Sequence, residues 1–124
     1  MKTSMSERSA SGGAGSLAED AALDYLQRRG LRLVARNYRC KFGEIDLILR
    51  EGAMLVFVEV RKRRNDQFGG GAASIDTHKR KRLLRTARHY LSAQATLPAC
   101  RFDAVLLTGD RQPVIEWVVN AFGE

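Results

Sequence analysis

The sequence predicts an α/β domain in which helices flank a mixed β-sheet. Three observations lead to this fold class: apolar residues recur at helical spacing in two segments, five other segments have strand-forming composition, and 44% of the 124 residues are hydrophobic. The predicted order of elements is αβββαββ. Because the second helix lies between the third and fourth strands, it permits a parallel crossover between them, which makes the sheet mixed.

Each predicted element has its own signal. The first helix is predicted from Ser16 to Gly30, where apolar residues follow a helical period and glycine is a typical helix stop. The second helix is predicted from about Asp76 to Ala93. Strands are predicted at residues 31–40, 44–50, 54–61, 100–108 and 113–122. Residues 63–74 are predicted to form a mobile loop, and residues 1–15 a disordered tail, because they are small and polar without periodicity.

Composition limits the class of partner. The chain has 21 Lys and Arg residues against 14 Asp and Glu, a net charge of +7, which favours polyanionic partners, chiefly nucleic acid or an anionic membrane surface. No apolar run approaches the roughly 20 residues that a membrane span needs, and residues 1–15 lack the apolar core of a signal peptide. We therefore expect a cytoplasmic protein that does not enter the membrane. Cys40 and Cys100 are too far apart to suggest a zinc motif.

The segment "GEIDLILREGAMLVFVEVRKR", residues 43–63, reads as a hairpin that carries acidic residues inside strong strand formers. A two-residue turn at Gly52-Ala53 sets a register in which Asp46 lies opposite Glu59, on one side of the sheet. Glu44 then falls opposite Arg61 and is interpreted as its salt-bridge partner, with metal ligation as the alternative. The other side is predicted to be an apolar face built from three pairs: Ile45 with Val60, Leu47 with Val58, and Leu49 with Val56.

The predicted pair of opposed carboxylates calls for a positive charge between them. Like charges directly opposed across strands destabilise a sheet, and burial adds to the cost. Mg²⁺ (or Mn²⁺) meets this need, since it takes one or two carboxylates and fills its remaining positions with water and substrate phosphate. The basic composition and the metal site together point to phosphodiesters. The alternative is that Asp46 and Glu59 are exposed carboxylates neutralised by arginines.

Three positions match the active-site pattern of the restriction-endonuclease-like, PD-(D/E)xK, nucleases: a glutamate early in a helix, an aspartate in a strand after glycine, and "E-x-K" in the next strand. Here these positions are Glu19, Asp46 and Glu59-Val60-Arg61. More closely, "AEDAALDYLQRRGLRLVARNYRCKFGEIDLI", "FVEVRKR", "DTHKRKRLLRTARHYL" and "CRFDAV" resemble the YraN family, small bacterial proteins with a nuclease-like fold related to archaeal Holliday junction resolvases. The resemblance covers about Gly15 to Val119.

The resemblance implies a restriction-endonuclease-like fold with an αβββαβ core plus a C-terminal strand, as a single nuclease-like domain over residues 16–124. It also implies metal-dependent cleavage in which Asp46, Glu59 and the Val60 carbonyl bind the metal and Glu19 holds a metal-bound water. A structural alternative exists for Glu19, because Ser16-Leu17-Ala18-Glu19 also fits a capping box at the start of the first helix.

One position departs from the superfamily pattern, because Arg61 stands where lysine is usual. Lysine can orient or deprotonate the attacking water, whereas arginine stays protonated and can only stabilise charge. Catalysis by Arg61 is therefore expected to be electrostatic. Lys79, early in the second helix, is an alternative source of an ammonium, although the sequence does not place it near the carboxylates.

Basic residues form two clusters that are predicted to contact nucleic acid. The second helix contains "HKRKRLLRTARH", with no acidic residue to balance its stripe, and the third strand ends in a run of basic residues. Such clusters hold phosphates without reading sequence, although a solvated helix face is the alternative. His78 and His89 are interpreted as solvated residues of the same face. The predicted nucleic-acid-binding residues are Lys62, Arg63, Arg64, Lys79, Arg82 and Arg85.

Two functions of different classes follow. The first is a Mg²⁺-dependent DNA endonuclease, structure-selective on branched DNA, with Asp46, Glu59, Glu19 and Arg61 at its active site. The second is a noncatalytic nucleic-acid-binding protein on a degenerate nuclease scaffold, which Arg61 favours. An RNA-associated basic protein is a weaker third. DNA is the expected partner, and homodimer formation stays open.

Overall fold

A computed structural model of the chain describes residues 14–63, 76–109 and 111–122. Its elements are α1 (Ala14–Arg28), β1 (Arg32–Cys40), β2 (Gly43–Glu51), β3 (Met54–Arg63), α2 (Thr77–Leu91), β4 (Cys100–Thr108) and β5 (Val114–Phe122). The predicted αβββαββ order is confirmed, and each predicted element is found within a few residues of its expected bounds. The predicted tail up to residue 13 and most of the predicted loop lie outside the described residues.

The strands form one mixed sheet in the order β1-β2-β3-β4-β5. Neighbouring strands are antiparallel except for β3 and β4, which are parallel and are joined through α2. The predicted crossover is therefore confirmed. No helix in the described parts of the chain is long and apolar enough to cross a membrane.

The two helices cover opposite faces of the sheet. Alternate residues of β3 divide between two core clusters, as the period of a strand requires. Leu55 and Phe57 pack in the cluster that contains Leu83 and Ala87 of α2. Val56 and Val58 pack in the cluster that contains Ala18, Ala22 and Leu26 of α1.

The helix ends are set by local hydrogen bonds. At the end of α1, Gly30 has a φ of 96°, and the Leu31 N–H bonds to the Leu26 carbonyl as in a Schellman motif. At the start of α2, the Asp76 carboxylate accepts a hydrogen bond from the Lys79 N–H at 2.9 Å. This N-cap fixes the backbone of the turn that carries Lys79.

The predicted β2–β3 register is confirmed over the half of the hairpin next to its turn. Paired residues run from Glu51 with Met54 to Leu47 with Val58. The pairing of Glu44 with Arg61 is wrong, because the β2–β3 ladder ends at Leu47 and Val58, and the ion-pair partner of Glu44 is Arg39 of β1, with 3.5 Å between Arg39 Nε and Glu44 Oε1.

The predicted apolar face is wrong at Ile45, because β2 changes the face of its side chains at Asp46. Leu47 packs on the α1 side, but Ile45, two residues away, packs on the α2 side. The neighbouring strand does the same: Arg36 contacts Asp20 of α1, whereas Tyr38 contacts Tyr90 of α2. Between them Asn37 has a φ of 51°, a left-handed conformation that breaks the alternation of a strand.

Candidate functional site

Three carboxylates converge where the strands change face. Glu19 of α1 and Glu44 and Asp46 of β2 each offer one oxygen, and these oxygens lie within 4.8 Å of one another. The Glu19 side chain is 15% exposed and that of Glu44 is 38% exposed, so the cluster opens to solvent on one side. An all-oxygen, anionic donor set of this kind suits a hard divalent cation.

Asp46 is the central member of this cluster. Its Oδ2 accepts a hydrogen bond from the Val60 N–H at 2.8 Å, across the point where the β2–β3 ladder ends. Burial, followed by the charge of Glu59, raises the pKa of Asp46 to about 8, and the charges of Glu19 and Glu44 add to the rise while the Val60 hydrogen bond opposes it. The described surroundings of Asp46 therefore supply too little positive charge to balance the negative charge of its ionised carboxylate.

Glu59 lies on the α2 side of Asp46 and is only 7% exposed. The Lys79 ammonium is 2.7 Å from Glu59 Oε2, and the Arg61 Nη1 atom is 3.9 Å from the same oxygen. The cation closer to Glu59 is thus Lys79 of α2, twenty residues further along the chain. Arg61, the strand residue of the expected motif, is more distant. The structure brings Lys79, the alternative ammonium named from the sequence, into direct contact with the Glu59 carboxylate.

Asn37 holds the α1 side of the cluster. Its Nδ2 donates to both Glu19 oxygens at 3.1 Å and to Glu44 Oε2 at 3.3 Å. Arg36 adds a guanidinium, with Nη2 at 3.4 Å from Glu19 Oε1 and 2.8 Å from Asp20 Oδ1. Sequence reasoning missed Asn37, whose only signal is that asparagine tolerates a left-handed conformation better than most residues.

A pocket of about 140 Å³ opens beside these groups. Its floor approaches α2 closely at Gly43, where an added Cβ would lie 3.1 Å from Thr86 Oγ1. Carboxylates and cations therefore line the same small space, an arrangement able to hold a cation and a phosphate together. The lining residues are Gly43, Glu44, Asp46, Glu59, Lys79, Arg82 and Leu83.

The predicted catalytic residues Glu19, Asp46, Glu59 and Arg61 all lie in this region of the fold. The capping-box interpretation of Glu19 is wrong, because α1 begins at Ala14, before Ser16, and the Glu19 carboxylate binds Asn37 instead. Glu44, interpreted mainly as a salt-bridge partner, belongs to the carboxylate cluster.

The predicted nucleic-acid-binding residues divide into four groups. Lys79 and Arg82 line the pocket, and Arg85 and Lys62 are exposed. Arg63 is held within the protein, with Nε at 2.8 Å from Thr108 Oγ1 and Nη2 at 3.3 Å from Glu116 Oε1. Arg64 lies outside the described residues.

Asp103 is a second buried carboxylate of this fold, and its hydrogen bonds identify it as a structural residue. It is fully buried, and it accepts hydrogen bonds from Arg101 Nε at 3.0 Å, Trp117 Nε1 at 2.9 Å and the Asn120 N–H at 2.9 Å. Each oxygen has donors, and a guanidinium balances the charge. Asp103 is therefore a buried carboxylate that the protein itself satisfies.

Comparison with known proteins identifies the family. The model of the uncharacterised protein family UPF0102 matches residues 18–107. The chain belongs to this family. A UPF0102 protein of Nitrosomonas europaea is 56% identical over 116 residues, which are 94% of this chain and 98% of that protein. One from Cupriavidus metallidurans is 59% identical over 109 residues, 87% of this chain and 79% of that protein.

These relatives confirm the resemblance to the YraN family, and their names state no activity. The matched range of the UPF0102 model runs from α1 to β4 and includes Glu19, Asn37, Glu44, Asp46, Glu59 and Lys79. Every residue assigned to the site therefore lies within the part of the chain that defines the family.

The raised pKa of Asp46 predicts a pH dependence of stability in the metal-free protein. The folded state keeps the Asp46 proton up to about pH 8, whereas the unfolded chain releases it near its ordinary value of 3.8. Between these values the folded state binds more protons, so stability falls as pH rises. Asp46→Asn removes this loss and should gain stability relative to wild type from pH 5 to pH 8, by at most about 1.4 kcal/mol per pH unit.

Urea unfolding in EDTA at several pH values measures this difference. Asp24→Asn is the matched control, because Asp24 is an exposed carboxylate of α1 paired with Arg28, outside the cluster. The free energy of unfolding of Asp24→Asn should differ from that of wild type by the same amount at every pH from 5 to 8. A constant difference for Asp46→Asn as well would contradict the charged cluster described above.

Proposed function

We propose that this UPF0102 protein is a Mg²⁺-dependent DNA endonuclease of the restriction-endonuclease-like superfamily, acting on branched DNA. The observation that carries the proposal is the convergence of carboxylates from α1, β2 and β3 on Asp46, with the Lys79 ammonium in the same pocket. Glu19, Glu44 and Glu59 each have a cation partner, but Asp46 has no ion pair within the described parts of the chain and lies among three acids, which a structural role alone does not explain. Hydrolysis of a phosphodiester uses both signs of charge at one place.

The donor set fits a divalent cation. Glu19, Glu44 and Asp46 supply carboxylate oxygens within reach of one ion, and burial together with the neighbouring acids raises the pKa of Asp46, an effect that a bound cation would oppose. These residues would hold Mg²⁺ or Mn²⁺, with Glu59 next to them. The bound ion would supply Lewis-acid stabilisation of the charge that develops on the phosphate.

The cations of the pocket have separate tasks in this proposal. Lys79 lies beside Glu59, where its ammonium can orient the attacking water and bind a non-bridging phosphate oxygen. Arg82, at the pocket wall, and Arg61, 30% exposed, can stabilise the phosphate as it gains charge. Water attacks the phosphorus and gives up one proton, the P–O bond to the leaving sugar oxygen breaks, and that oxygen takes up one proton, so the hydrolysis consumes one water and leaves a hydroxyl and a phosphate end.

The exposed basic residues of α2 would hold the DNA backbone. Arg82 and Arg85 are one turn apart on the helix, so their guanidinium groups lie on one face. Contacts to phosphate position DNA without reading its sequence. We therefore propose selection by DNA structure and not by base sequence.

A noncatalytic DNA-binding protein is the second candidate. The observation that favours it is Arg61 at the position where the superfamily usually has lysine, since arginine cannot serve as a base. Both candidates share the basic face of α2. They differ in whether the carboxylates and Lys79 act on the bound phosphate.

Asp46 is predicted to be required for cation binding. Titration of Mn²⁺ by calorimetry should show binding to wild type and a strong loss in Asp46→Asn, because the central oxygen ligand becomes a neutral amide. Mn²⁺ should also raise the melting temperature of wild type more than that of the variant, since a ligand that binds only the folded state stabilises it. Asp24→Asn should behave as wild type. Equal Mn²⁺ binding by wild type and Asp46→Asn would refute the site.

Lys79 is predicted to matter more for cleavage than Arg61. The assay is a screen of linear, nicked, flapped and four-way DNA with Mg²⁺ or Mn²⁺. Lys79→Gln should lower the cleavage rate by about 10² to 10³, the usual cost of losing one preorganised charge. Arg61→Ala should cost less, because its guanidinium is farther from Glu59. Arg61→Lys should retain or raise the rate.

Lys81→Gln is the matched control for this screen, since Lys81 is an exposed lysine of the same helix and does not line the pocket. It should cleave at nearly the wild-type rate. A wild-type protein that cleaves none of these substrates would favour the noncatalytic candidate. Full activity in Lys79→Gln together with loss in Arg61→Ala would assign the role to Arg61 instead.

The basic face of α2 is predicted to set the salt dependence of DNA binding. Each phosphate neutralised on duplex DNA contributes about −0.9 to the slope of log K against log salt. Replacing Arg82 and Arg85 together by Gln should make that slope shallower by roughly 1 to 2 units. The double change Arg28→Gln and Arg29→Gln, on exposed residues at and just after the end of α1, should leave it unchanged. An unchanged slope in the α2 variant would mean that this face is only solvated.

A further inference from the structure

A small aromatic patch lies beside the pocket and has no part in the site described above. It consists of Tyr38, Phe42 and His89. The His89 ring lies 6.0 Å from the Phe42 ring and 6.1 Å from the Tyr38 ring, between centroids, and the Tyr38 hydroxyl hydrogen-bonds to His89 Nδ1. His89 is exposed and the other two rings are half-buried. The patch therefore presents aromatic surface to solvent.

Phe42 is not explained by the core. In the described parts of the chain it belongs to neither core cluster, and it occupies the two-residue turn between β1 and β2, where small and polar residues are usual. The Lys41 ammonium lies 5.3 Å from the centroid of its ring. A cation next to an accessible ring in a turn is a combination suited to a base and its phosphate.

The patch is aligned with the basic face of α2. His78, Arg82, Arg85 and His89 follow one another at spacings of four, three and four residues, which places them along one side of the helix. Arg82 lines the pocket, and His89 lies seven residues further on, about 10 Å along the helix axis. Phe42 directly precedes Gly43, which also lines the pocket. The patch is thus within a few nucleotides of a phosphate held there, since a duplex strand advances 3.4 Å per base.

We propose that the patch of Tyr38, Phe42 and His89 stacks an unpaired base of the DNA strand whose phosphate lies in the pocket. This inference rests on the proposed function and narrows its substrate class to DNA with single-stranded nucleotides next to the bound phosphate, such as an overhang, flap or fork. A base inside a duplex has both faces covered by its neighbours, so it cannot use the patch. Every base has a π-face, so the patch selects unpaired structure and not sequence.

The test measures DNA binding in EDTA, where cleavage is not needed. Two probes are compared by fluorescence anisotropy: a blunt duplex and the same duplex with a short single-stranded overhang. Wild type should bind the overhang probe more tightly. Phe42→Leu keeps an apolar side chain without the ring. It should lower the affinity for the overhang probe by about 5- to 150-fold, the range for one stacked base, and leave the affinity for the blunt duplex unchanged.

His89→Gln is a second variant at an exposed position, which keeps the test decisive if Phe42→Leu does not fold. Tyr25→Leu is the matched control, because Tyr25 is a half-buried aromatic residue of α1 whose neighbour is Arg29. It should bind both probes as wild type does. Equal losses on both probes, or no loss on the overhang probe, would overturn the stacking proposal. The same overhang probe made with RNA is a third measurement. If the variants lost affinity for the RNA overhang only, the assignment of the patch to DNA would be overturned.

The outcomes separate this inference from the proposed function. A protein that cleaves nothing but loses overhang affinity in Phe42→Leu would retain the stacking site without the nuclease. A protein that cleaves DNA but keeps its overhang affinity in both variants would retain the nuclease without the stacking site.

Discussion

The change of face in β1 and β2 is the constraint on which the site depends. A regular strand would send Ile45 and Leu47 to the same side of the sheet, but here they belong to different cores. Asp46 lies between them, and the positive φ of Asn37 marks the same level of the neighbouring strand. Because of this change, Asp46 can approach Glu19 on the α1 side and Glu59 on the α2 side. A hairpin with regular alternation would put Asp46 and Glu59 on the side opposite Leu47, away from Glu19 of α1.

The contrast between Asp46 and Asp103 shows that the acidic cluster is not explained by stability. Asp103 is more deeply buried, yet Arg101, Trp117 and the Asn120 N–H satisfy its oxygens. Asp46 has the Val60 N–H as its hydrogen-bond donor and acids as its charged neighbours, and its pKa rises to about 8. The same fold can therefore compensate a buried carboxylate fully and does not do so at Asp46. Real proteins keep such unfavourable arrangements at functional positions, where a ligand supplies the missing charge.

The sequence predicted the elements well because each has a local signal, and it predicted the hairpin register near the Gly52-Ala53 turn because the turn fixes that register. The prediction failed where local signals stop. Extending the same register to Glu44 and Ile45 assumed regular alternation, but β2 changes face at Asp46, and the neighbouring strand changes face at Asn37, which has a left-handed backbone. The contact of Lys79 with Glu59 depends on how α2 packs across the sheet, which no local pattern specifies.

The supply of a cation from α2 links the chemistry of the pocket to the surface that would hold DNA. Lys79, Arg82 and His89 are on one helix, so a displacement of α2 moves the ammonium, the pocket wall and the aromatic patch together. That helix packs closely on the start of β2 at Gly43, where an added Cβ would make a tight 3.1 Å contact with the Thr86 hydroxyl oxygen. Arg61, in contrast, is on β3 and keeps its place relative to Glu59 whatever α2 does. A lysine on the helix therefore makes the arrangement of the pocket depend on the element that we propose contacts DNA, which a lysine in the strand would not do.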